Sequence, residues 1–61
     1  MFREEAIALI MTGLLAAGAC PREQARAQAE HLLDEYLQDP AYRVEGVDVP
    51  EEFVADLLAH I

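Results

Sequence analysis

Gly13-Leu14-Leu15-Ala16-Ala17-Gly18-Ala19-Cys20-Pro21-Arg22-Glu23-Gln24-Ala25 is the stretch that decides the fold. Gly18 is the residue type that closes a helix in the left-handed conformation. Pro21 suits a first helical turn, because the N–H it lacks has no intrahelical partner there. Glu23 follows in the same turn, where the positive end of the helix dipole favours it. A helix therefore stops and another starts within about three residues, and so short a connection forces an antiparallel helical hairpin.

Working back from the turn, residues 2–17 read as one helix. Phe2, Ala6, Leu9, Ile10, Gly13, Leu14 and Ala17 recur at helical spacing. Ile7, Met11 and Leu15 form a second apolar strip beside the first. Only Arg3, Glu4, Glu5 and Thr12 are polar, so this helix seeks contact on more than one side. Glu4 and Glu5 suit its positive end.

Working forward, residues 21–38 read as the second helix. Ala25, Ala29, Leu32, Leu33, Tyr36 and Leu37 make its buried stripe, and Arg22, Arg26, Glu30 and Asp34 its polar face. Pro40 turns Asp39 away from helical geometry and ends it. Residues 39–48 are a connector whose β-branched and polar residues alternate, with Gly46 breaking the run. An extended segment there needs a pairing edge, from a second copy or a partner. Residues 49–60 read as a third helix, with Asp48 and Glu51 as a capping box and Phe53, Val54, Leu57, Leu58 and Ile61 as its stripe. The expected fold is all-α: an antiparallel helical hairpin plus a short C-terminal third helix, in one domain over residues 1–61.

A chain of 61 residues buries only about 60% of its unfolded surface, so its core is marginal. A single cysteine, Cys20, excludes an internal disulfide. Cys20, His31 and His60 are scattered one per segment, without zinc-ligand spacing, and no metal or other cofactor is expected. Oligomerisation remains as the source of further stability. Ile7, Met11 and Leu15 are the expected interface of a homodimer. The uncharged run 6–19 ends at Cys20, as in a bacterial lipoprotein signal, but Arg3, Glu4 and Glu5 give it a net negative start, which argues against secretion. At 14 residues it also falls short of the roughly 20 that cross a bilayer. The lone cysteine suits a reducing, cytoplasmic setting.

Charge is divided unevenly. Residues 1–29 sum to zero, and the whole net charge of −8 lies in residues 30–61, where Arg43 is the sole cation. There is no lysine. Such a surface repels nucleic acid and attracts basic protein. The helix–turn–helix reading of the hairpin fails on this ground, since Arg22 and Arg26 are followed at once by Glu30 and Asp34. No nucleophile motif and no Gly-rich phosphate loop occurs, so no enzyme is expected. The acids nominated for partner binding are Glu30, Asp34, Glu35, Asp39, Glu51, Glu52 and Asp56. Acids at this density also keep an apolar mini-domain in solution, a plain reading that stands beside the functional one.

The run Leu14–Gly18, followed by Pro21–Ala25 and then Ala29-Glu30-His31-Leu32-Leu33-Asp34-Glu35, resembles short proteins encoded by bacterial viruses and mobile elements. In size, acidity and helical content the chain is similar to the anti-CRISPR class. That resemblance implies a non-enzymatic inhibitor that occupies the basic nucleic-acid-binding surface of a partner protein. It transfers no site residue. The alternative is a structural or assembly subunit, phage or bacterial, that oligomerises through its apolar first helix. A third reading is an antitoxin-like or chaperone module covering a basic partner.

Overall fold

A computed structural model describes residues 1–38 and 48–61. It contains α1 (Arg3–Ala16), α2 (Arg22–Leu37) and α3 (Glu51–Ala59). The fold is the expected all-α arrangement, with α1 and α2 as a hairpin and α3 packed against both. The connector and Asp39 lie outside the described residues, apart from Asp48.

The turn closes as its glycine requires. Gly18 has φ +65°, the Ala19 N–H donates to the Leu14 carbonyl at 3.0 Å, and the Gly18 N–H donates to the Leu15 carbonyl at 3.1 Å. These two bonds are a Schellman motif and satisfy carbonyls that the helix end leaves open. Pro21 stands just outside α2 as its N-cap, with ψ 151°, so the helix begins at Arg22, one residue later than a first-turn proline would give. At the other end of α2, Gln38 takes a left-handed conformation with φ 55°. Asp39 and Pro40 do follow it in the sequence, so the helix stops where the proline forbids it to continue.

All three helices feed one core. Ala6, Ile7, Ile10 and Leu14 come from α1, Ala29 and Leu33 from α2, and Val54 and Leu57 from α3, with Val49 sealing the end. Ala25 and Ala29 have no exposed surface, and their small side chains let α2 lie close to α1. Gly13 does the same for α3: a Cβ there would stand 2.7 Å from Leu58 Cδ2.

The phase of α1 differs from the expected one. Ile7 is buried, at 1% exposure, inside the single chain. Leu9, expected in the core stripe, is 43% exposed, and Phe2 and Ala17 are exposed as well. The helix is apolar over most of its circumference, so periodicity does not fix which arc faces inward. Packing chose the arc of Ala6, Ile7, Ile10 and Leu14, which places two isoleucines in the interior.

The start of α3 also differs. Its N-cap is Pro50, and no side chain caps it. Asp48 is drawn elsewhere: its Oδ1 accepts from the Met1 ammonium at 2.7 Å, and the same ammonium donates to the Val49 carbonyl at 2.8 Å. The Val49 N–H returns a bond to the Met1 carbonyl at 2.6 Å. Phe2 and Asp48 thus form an antiparallel bridge within one chain. The described end of the connector finds its pairing edge in its own N-terminus, without a second copy.

Candidate protein-binding site

The nominated acids divide by what they touch. Asp34, in the last turn of α2, accepts from Arg3 Nη1 at 2.7 Å and from Nη2 at 3.4 Å, across the hairpin. Glu30 lies 3.2 Å from Arg26 Nε, one helical turn away. Arg26 also donates from Nη2 to both oxygens of Glu4, at 2.9 and 3.0 Å. These contacts hold its guanidinium more firmly protonated than usual, the Glu4 hydrogen bond being the main cause. Glu35 lies 3.3 Å from His31 Nε2, an ion pair only when the imidazole is protonated. Of the nominated acids of α2, Asp34 and Glu30 are therefore paired with arginines within the chain, and Asp34 is part of the fold as much as of the surface.

The acids of α3 are placed otherwise. Glu51 and Glu52 are exposed at its first turn, and no cation among the described residues comes within ion-pair distance of either. They complement the helix dipole where they stand. Asp56 follows Glu52 by one turn, on the same face. Its Oδ2 accepts from the Tyr36 hydroxyl at 3.3 Å. The Tyr36 ring packs edge-on against Phe53, with centroids 5.9 Å apart and planes at 64°. Sequence spacing put Tyr36 in the core stripe of α2, yet it is 42% exposed. Partial desolvation, then the charge and hydrogen bond of Asp56, push its hydroxyl pKa upward.

Glu52, Asp56, Phe53 and Tyr36 thus share one face of the α2–α3 pair. An exposed phenol beside carboxylates is suited to a guanidinium or ammonium, which stacks on the ring and pairs with the acids. Half of this signal is visible in the sequence, where the acids stand out, while helical spacing places the aromatic platform in the interior.

The nominated dimer strip does not lie together on the surface. Ile7 is in the core, Met11 is half-buried against it, and Leu15 alone is exposed. An isoleucine already enclosed by its own chain has no surface to give to a second copy. Cys20 is half-buried, also packed against the core.

Among the described residues no group of three or more His, Cys, Asp and Glu side chains is placed to hold a metal ion. No described helix is long and apolar enough to cross a membrane. One open, largely apolar concavity lies beneath the hairpin turn, lined by Leu14, Ala19, Leu32, Leu57, His60 and Ile61. His60 Nδ1 faces the Asp56 carbonyl at 2.7 Å, and donates to it in the Nδ1-protonated tautomer.

Compared with known proteins, the chain matches no family model, no curated protein and no solved structure.

Proposed function

We propose that this chain is a small non-enzymatic protein-binding inhibitor or regulator that docks on a basic surface of another protein. The observation that carries the reading is the α3 face, where no cation among the described residues comes within ion-pair distance of Glu51 or Glu52 and Asp56 stands beside the exposed Tyr36 ring. Net charge −8 raises the association rate with such a partner and disfavours acidic ones. In its sharpest form the target is a nucleic-acid-binding groove, in the manner of anti-CRISPR proteins acting on guided nucleases. A cytoplasmic setting belongs to the same proposal.

The binding acids in this proposal are narrowed to Glu51, Glu52 and Asp56. Asp34 is set aside, because its carboxylate ties α2 to α1 and its reversal disturbs the fold. The test is to recover the tagged chain from cells, identify the bound protein, and measure its affinity against ionic strength. Binding should weaken steeply with salt, as exposed charge pairs are screened. The double variant Glu51→Lys with Glu52→Lys should lose at least tenfold in affinity while staying folded, its melting temperature lowered only by the lost match to the helix dipole. Affinity indifferent to both salt and reversal would sink the proposal.

A further inference from the structure

We propose that the outer face of α1 is a self-association surface, seating a second copy of this chain in antiparallel orientation. The argument begins with what packing left outside. α1 is apolar over most of its circumference, yet the arc buried among the described residues is that of Ala6, Ile7, Ile10 and Leu14. The opposite arc carries Glu5, Ala8, Leu9, Thr12, Leu15 and Ala16, all exposed. A helix of this kind is stable when contacted on more than one side.

The shape of that arc suits another helix. Glu5, Ala8, Leu9 and Thr12 line a shallow concavity. Their spacing of three, four and seven residues is the diamond that receives one side chain in knobs-into-holes packing. Ala8 and Thr12 keep it open, and Leu9, at 43% exposure, is a knob of fitting size beside it. Thr12 is also dry-ready. Its hydroxyl donates to the Ala8 carbonyl at 2.9 Å, so burial leaves that donor satisfied.

Charge selects the occupant. A second copy carries the same −8, which opposes contact through residues 30–61. Residues 1–29 sum to zero, so this face is the one where two copies meet with least repulsion. Arg22 precedes Arg26 by one turn, on the side of α2 from which Arg26 reaches Glu4. It therefore lies on the Glu4 side of the hairpin, at the turn end, and neither it nor Glu5 has an ion-pair partner among the described residues. Antiparallel apposition carries Glu5 of one copy towards the Arg22 end of the other, whereas parallel apposition sets like charge on like.

This surface is separate from the α3 acids, and the experiment keeps the two proposals apart. Sedimentation velocity on the 61-residue chain is run up to about 1 mM, at low and high salt. The expected result is conversion from single-chain to twofold mass, and a dimer that tightens with salt as the residual repulsion is screened. Leu9→Glu should remain single at every concentration and, at micromolar concentration, where the parent is single too, should melt within a few degrees of it. Thr12→Arg, a second exposed position, should do the same. The Glu51→Lys, Glu52→Lys variant should dimerise at least as well as the parent. A parent that stays single at the highest concentration overturns the proposal, as does a dimer that survives Leu9→Glu and Thr12→Arg or that dissociates with added salt.

Discussion

Arg3 Nη1 stands 2.7 Å from Asp34 Oδ1, joining the first residue of α1 to the last turn of α2. The pair closes the open end of the hairpin, opposite the Gly18 turn. Both side chains are mostly buried, at 15% and 29% exposure. It is therefore better shielded than the Arg26–Glu4 pair, whose partners are 53% and 64% exposed. Exposed pairs contribute about 0–1 kcal/mol, whereas hydrogen bonds to charged groups that are partly shielded contribute about 1.5–3 kcal/mol. Asp34→Asn should lower unfolding free energy by about 1–2 kcal/mol, and Glu4→Gln by less than about 0.5 kcal/mol. A double-mutant cycle on Arg3→Met and Asp34→Asn, read by urea denaturation, isolates the coupling. Coupling near zero would show that the hairpin closes without this bridge.

The Met1 ammonium makes stability depend on alkaline pH. Its hydrogen bond to Asp48 raises its pKa above the ordinary value of 8.0, outweighing partial desolvation. A cation with a raised folded pKa contributes fully below its unfolded value, and the contribution is lost as pH rises through the folded one. The Tyr36 hydroxyl has the same sign, since its folded pKa is raised above 10.0 by desolvation and by Asp56. Thermal melts from about pH 7 to about pH 11 should therefore decline in two stages. Acetylating the Met1 nitrogen should lower stability at neutral pH and remove the first stage. Tyr36→Phe should remove the second. An acetylated chain that melts like the parent at neutral pH would show that the Met1–Asp48 contact contributes nothing.

How much of this was legible follows from particular residues. Gly18 and Pro21 specify the hairpin locally, so its turn could be read directly. Leu33, Val54 and Leu57 sit where helical spacing put them, because α2 and α3 are polar on one side and leave a single arc to bury. α1 offers no such contrast, and its rotation is set by tertiary packing that no local pattern encodes. The pairing of Asp34 with Arg3 spans 31 residues. A signal for it did exist, since Arg3 stands nearly as far before the turn as Asp34 stands after it. Counting charge along the chain does not reveal such pairs, and so the acidic surface looked larger than the fold leaves it. Asp48 illustrates competition: a capping carboxylate was available, but a full positive charge was nearer than the amides of α3.

Two helix ends test the cost of left-handed backbone with opposite substitutions. Gly18 has φ +65° with nothing within 4 Å of where a Cβ would stand, so Gly18→Ala isolates backbone strain from steric clash. It should destabilise by about 1–2 kcal/mol. Gln38 has φ 55° with a side chain that already bears that strain. Gln38→Gly should stabilise by about 0.5–1 kcal/mol. Urea midpoints moving in opposite directions at unchanged slope would confirm both. Two shifts of the same sign would mean that one of these ends is not left-handed in solution.

Ile7 and Leu9 provide the sharpest test of how α1 is rotated, because sequence patterning assigned them the reverse of the places they hold. Truncating a fully buried isoleucine removes transfer energy and leaves a cavity, a loss of about 2–5 kcal/mol. A chain of 61 residues has about 3–9 kcal/mol in all. Ile7→Ala should therefore remove a large share of that stability and lower the urea midpoint far more than Leu9→Ala does. Leu9→Ala removes a side chain that is 43% exposed and should change stability by less than about 1 kcal/mol at low concentration. If the helix were rotated so that Leu9 faced inward, the order would reverse. Denaturation of the two variants at micromolar concentration, below the range of self-association, decides between the rotations, because the packing they probe is then that of the single chain alone.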